Sequence, residues 1–93
     1  MAQAAALRTE LDRRHAAVGT LAARRTAIVA DQDRVRQNLG AIPANSELAR
    51  RYLAQLQQQE TQLAALQSQT EAAQRLADEA DAALKDFIAT LAL

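Results

Sequence analysis

Cysteine and tryptophan are absent from these 93 residues, and proline occurs once and glycine twice. Without cysteine there is neither a disulfide nor a thiolate metal site, and the redox compartment stays open. The two aromatic residues, Tyr52 and Phe87, are too few for a base-stacking platform. No run of about 18 uncharged apolar residues occurs, so no membrane span is expected. Met1 to Leu11 lacks the basic start and leucine-rich middle of a signal peptide. The single histidine, His15, has Asp12 three positions before it, but zinc asks for a fuller ligand set, so a surface histidine is expected. Asp31 and Asp33, two apart, do not face each other on a helix. Asp78, Glu79 and Asp81 read as a solvated acidic face. With no Gly-rich phosphate loop and no Ser/His/Asp set, neither an enzyme nor a cofactor or metal site is expected.

What is present points to helix. Alanine supplies 24 residues, leucine 13 and glutamine 11, all good helix formers. The punctuation is confined to Gly40-Ala41-Ile42-Pro43-Ala44-Asn45-Ser46. Gly40 suits a left-handed residue closing a helix. Ile42 precedes Pro43 and is pushed to extended geometry. Asn45 or Ser46 can cap a second helix, with Glu47 at the positive end of its dipole. Leu48 or Ala49 would then hold the third helical position, so no capping box forms. The expected fold is all-α: an antiparallel two-helix coiled-coil hairpin with a helix over about 3–39, a turn over 40–45 and a helix over 46–91. Two such hairpins can dimerise into a four-helix bundle.

The seams are heptads. Leu7, Leu11, Arg14, Val18, Leu21, Arg25, Ile28, Gln32, Val35, Leu39 and Ile42 advance by alternating steps of four and three. Tyr52, Leu56, Gln59, Leu63, Leu66, Thr70, Ala73, Ala77, Ala80, Leu84, Phe87 and Leu91 do the same. Polar residues in such seams cost stability and fix register, and long arginine stems can lie along them. Gly19 sits inside the first helix at a cost of about 1 kcal/mol relative to alanine. The second helix is the longer, so Phe87, Ile88, Leu91 and Leu93 are expected to overhang the first and to need a cover. Val29, Leu53, Leu76 and Ile88 lie off the seam and are candidates for a dimer face.

Net charge is zero but unevenly divided. Residues 2–40 carry seven arginines against four acids, a net of +3, and residues 45–93 carry four basic residues against seven acids, a net of −3. Opposite signs favour the two helices lying side by side. Arg14, Arg25 and Arg36 are eleven apart, with Arg13 and Arg24 repeating the spacing, which makes a stripe along the first helix. A stripe can track phosphates, but neutrality overall, an acidic partner helix and the lack of aromatics rank nucleic acid below protein as a partner.

Residues 28–39, IVADQDRVRQNL, followed by a short turn and then Glu47-Leu48-Ala49-Arg50-Arg51-Tyr52-Leu53-Ala54-Gln55-Leu56 and Gln59-Glu60, carry a resemblance. Over about residues 26–66 the chain resembles the C-terminal helical segment of an uncharacterised bacterial family related to mucoidy-inhibitor-like proteins. That family combines coiled coil with a β-rich domain, has no established activity, and looks exported, which implies the bacterial envelope or periplasm. The resemblance implies that this chain is a segment whose overhang a missing domain would cover. It directs attention to Gln32, Arg36, Asn38, Glu47, Arg51, Tyr52 and Glu60, read physically as a polar network bracing the loop end. The functional expectation is a non-enzymatic spacer or protein-interaction module, with self-assembly and a weak nucleic-acid module as alternatives.

Overall fold

The computed structural model describes residues 2–92 and contains two helices, α1 (Ala2–Gly40) and α2 (Glu47–Leu91), folded as an all-α hairpin. They are 39 and 45 residues long, or about 58 and 68 Å at 1.5 Å per residue. Leu93, part of the expected overhang, lies outside the described residues.

Gly40 does not act as a left-handed cap. No described glycine has a positive φ, and α1 runs through Gly40. The helix ends instead by tightening. Ala41 N–H donates to the Asn38 carbonyl at 3.1 Å and Ile42 N–H to that of Leu39 at 3.5 Å, both to the third residue back. Pro43 then blocks continuation. Of the two cap candidates, Ser46 is the one used. Its Oγ accepts from Ala49 N–H at 3.0 Å and donates to the Pro43 carbonyl at 2.8 Å, while its carbonyl accepts the first intrahelical bond, from Arg50 N–H at 3.2 Å. Arg50 also reaches back to the Asn45 carbonyl at 3.2 Å, which ties down the turn. Glu47 occupies the first turn, where the helix dipole favours an acid.

The described residues divide into two compact units, a turn unit over Ala23–Gln67 and an open-end unit over 2–22 with 68–92. In the turn unit, Val35 is completely buried, with Ala49, Leu66, Gln32 and Gln59 also buried, and Ile28, Leu39, Tyr52, Leu56 and Leu63 half-buried around them. In the open-end unit, Leu11, Ala77 and Leu84 are buried and Leu7, Arg14, Val18, Leu21, Ala73, Ala80 and Phe87 half-buried. These are the heptad positions. Arg25 and Leu91 are the departures: both occupy seam positions yet are exposed, the Arg25 side chain leaving the seam for water.

The seam is narrow because each helix has a single helical neighbour. The accessible surface is 6585 Å², against about 5,300 Å² for a compact monomer of this mass. With so little burial, the local device at the turn carries weight. Replacing Ser46 with alanine is expected to lower unfolding free energy by about 1 kcal/mol, and with glycine by only a few tenths, read by urea denaturation. Equal losses for both variants would show that the cap is not what holds the start of α2.

Candidate functional site: a polar layer in the turn unit

Between residues 31 and 60 the apolar seam gives way to amides and carboxylates. The hub is Asp31, on α1 beside the seam and half-buried. Its Oδ2 accepts from Gln59 Nε2 at 2.6 Å and from Gln55 Nε2 at 3.3 Å, and its Oδ1 accepts from Arg34 Nε at 2.9 Å. One position on, buried Gln32 donates from Nε2 to Glu60 Oε1 at 2.9 Å. Arg36 lies 4.0 Å from the same Glu60 oxygen and 3.4 Å from Asp33. Gln59 is 6% exposed, and its Oε1 is a buried acceptor without a protein donor.

The arrangement follows from helix geometry. Asp31 and Gln32 are consecutive, so one points to the flank and the other into the seam. Gln55 and Gln59 are four apart and share a face of α2, which lets one carboxylate oxygen take both amides. Arg34, three residues after Asp31 on the same helix, closes the other oxygen. The Arg34 guanidinium holds the Asp31 carboxyl below the usual carboxylate range. Partial desolvation opposes this, and the bonds from Gln59 and Gln55 reinforce it.

The expected loop-end network is therefore only partly assembled. Gln32 and Arg36 both lie against Glu60. Glu47 and Arg51 pair with each other at 3.2 Å on the exposed surface of α2. Asn38 and Tyr52 are half-buried nearby in sequence, and neither is hydrogen-bonded to the Gln32–Glu60 group. Asp31, Gln55 and Gln59, the centre of the layer, were not in the expected set. The available signal was the pair of glutamines at i and i+4 facing a single acid, a pattern easily lost among eleven glutamines.

The charge asymmetry of the two helices acts differently from expectation. Arg8–Asp12, Arg13–Glu10, Arg14–Glu10, Arg34–Asp31, Arg36–Asp33, Arg51–Glu47 and Lys85–Asp81 all stay within one helix. Across the turn unit, hydrogen bonds from glutamine to carboxylate do the joining, with Arg36–Glu60 a longer ion pair at the edge. Exposed pairs of this kind contribute roughly 0–1 kcal/mol each.

The apolar candidates do not share one patch. Heptad position places Leu53 and Ile88 on one flank of the α2 seam and Leu48 and Leu76 on the other. Leu48, Leu53, Leu76, Ile88 and Leu91 are exposed, Ile88 at 51% and Leu91 at 58%, while Val29 and Phe87 are half-buried. Among the described residues no group of three or more His, Cys, Asp or Glu side chains is placed to hold a metal ion, and no helix is long and apolar enough to cross a membrane.

Asp31 makes a pH prediction. Its folded pKa is depressed, so its contribution to stability is complete above the unfolded value, near 3.9, and is lost as pH falls through the lower folded value. The urea midpoint of the wild type is expected to fall below about pH 4, and Asp31→Asn to reduce the steepness of that fall. Glu10, lowered by its bond to Arg13 and also held by Arg14, supplies a second part of the acid sensitivity, so the variant flattens the curve without abolishing it. An unchanged acid limb in Asp31→Asn would mean that the ionised Asp31 carboxylate contributes nothing to folding.

No family model matches the chain, and no curated protein or solved structure matches it either.

Proposed function

We propose that this chain is a non-enzymatic coiled-coil spacer or protein-interaction module, and that its partner is protein, either another copy of itself or a domain of a larger bacterial protein. The observation that carries this reading is the imbalance between a heptad seam one helix wide and the surface left over: about 1,300 Å² more than a compact chain of this mass would expose. That surplus exceeds the roughly 800 Å² that each partner contributes to a standard protein interface. The polar layer fits a structural role, because its donors and acceptors are turned toward each other across the seam instead of converging on a vacant centre. The resemblance of residues 26–66 to a helical segment of larger envelope proteins agrees with a part played within an assembly.

The nucleic-acid alternative loses support from the ion pairs. Of the five arginines in the stripe, Arg13 and Arg14 share Glu10, and Arg36 lies beside Asp33 and Glu60. Arg24 and Arg25 have no acid three or four positions away on α1. Two adjacent arginines are a weak electrostatic footprint.

The test is far-UV circular dichroism combined with light scattering on the whole chain, from micromolar to millimolar concentration. A strong helical signal at every concentration, with a mass that is discrete at each step, is the expected outcome. A chain without strong helical signal, or one that scatters as a heterogeneous aggregate, would contradict the module reading.

A further inference from the structure

The chain holds two asparagines, in different situations. Asn38 is half-buried within α1, and the residue after it, Leu39, belongs to the same helix. Asn45 is exposed in the turn, and its side-chain amide makes no hydrogen bond among the described residues. The small residue Ser46 follows it, just ahead of α2. Asparagine is a thermolabile residue, because its side-chain carbonyl carbon can be attacked by the backbone nitrogen of the next residue.

That nitrogen must first lose its proton. Ser46 N–H donates to the Pro43 carbonyl at 3.1 Å, and Ser46 Oγ donates to the same carbonyl at 2.8 Å. The Pro43 oxygen therefore keeps a donor when the N–H is given up. Arg50 supplies the other requirement. Its Nη1 lies 3.2 Å from the Asn45 carbonyl oxygen, which belongs to the peptide unit that ends in Ser46 N. Oxygen and nitrogen of one peptide share a resonance system. Negative charge left on Ser46 N spreads to that oxygen, where the guanidinium stabilises it. Glu47 does not compete for this cation, since it pairs with Arg51 at 3.2 Å.

We propose that Asn45 is a site of spontaneous deamidation, activated by Arg50. Solvent hydroxide takes the Ser46 N–H proton. Ser46 N forms a bond to Asn45 Cγ, the bond from Cγ to the amide nitrogen breaks, and that nitrogen leaves as ammonia. Water then opens the cyclic imide at one of its two carbonyls. Opening at the former side-chain carbonyl gives aspartate. Opening at the former backbone carbonyl gives an isoaspartyl link, and the oxygen that Arg50 touches becomes part of a free carboxylate. Either product sets a negative charge ahead of α2, at the end where the helix dipole favours it. The isoaspartyl product also lengthens the chain by one carbon into the residue that caps α2.

The test is incubation of the whole folded chain at mildly alkaline pH, followed by tryptic digestion and tandem mass spectrometry. One tryptic peptide, residues 37–50, holds both asparagines, so Asn38 is an internal control. Asn45 is expected to convert to aspartyl and isoaspartyl forms while Asn38 keeps its amide. Arg50→Ala is expected to slow conversion at Asn45 by about three- to tenfold, the loss of one charge-assisted hydrogen bond to an anion at an exposed site. Arg50→Lys, which keeps a cation, is expected to recover part of the rate. The direction separates charge from structure, because a turn merely loosened by Arg50→Ala would deamidate faster. An Asn45 that converts no faster than Asn38 would overturn the proposal. An Arg50→Ala variant that converts at the wild-type rate or faster would overturn the role of Arg50.

Discussion

Each helix of a hairpin has one helical neighbour, and the other features of this chain follow from that constraint. A helix in a larger bundle can bury a broad stripe, but here burial is limited to one line of contacts, in which Val35 is the largest side chain fully hidden. Alanine serves this geometry well. It favours helix at every position and, within the seam at Ala49 and Ala77, it lets the backbones come close. The same residue outside the seam, together with Arg14, Arg25 and Gln32 within it, leaves α1 only weakly amphipathic even though its seam is regular.

A one-line seam is prone to slip, because shifting two heptad-patterned helices by a heptad leaves apolar residues facing apolar residues. The layer at Asp31, Gln32, Gln55, Gln59 and Glu60 removes that freedom. An Asp31 carboxylate that collects two glutamine amides from the facing helix, and a Gln32 that reaches Glu60, are satisfied in one alignment. In a slipped alignment Asp31 and Gln32 would face other partners, at the cost of unmatched buried polar groups. The buried Gln59 Oε1 shows that even the observed alignment is imperfectly satisfied. Stability is given up there for a single arrangement, as polar residues within coiled-coil seams do elsewhere. The turn adds a second constraint, since Ser46, Pro43 and Asn45 set where α2 begins.

Much of this was legible in the residues. The heptad steps located nearly every buried position, because a 3-4 repeat in a chain with little glycine or proline has few alternatives to a long helix. The turn was visible for the same reason, as the place where breakers collect. Gly40 was misread because glycine favours a left-handed cap only where the chain must reverse within the cap itself; here Pro43, three residues later, already stops the helix. Arg25 holds a heptad position and is exposed, because that position says where a side chain starts and a long stem can end in water. The polar layer was half found. Gln32 stood out as a polar residue in the seam, whereas Asp31 sits beside the seam and gains meaning only when Gln55 and Gln59 are placed opposite it.

The central claim is that the layer confers a single register at the expense of stability. The most direct measurement is the thermal midpoint of the Gln32→Leu/Gln59→Leu double variant, taken together with its amide NMR spectrum. The account predicts a higher midpoint, by roughly 4–8 °C for each kcal/mol gained, and at the same time more than one set of amide resonances where the wild type shows one. A variant that is more stable and still gives a single set would contradict the register role. A variant that is less stable would contradict the claim that the layer is held at the expense of stability.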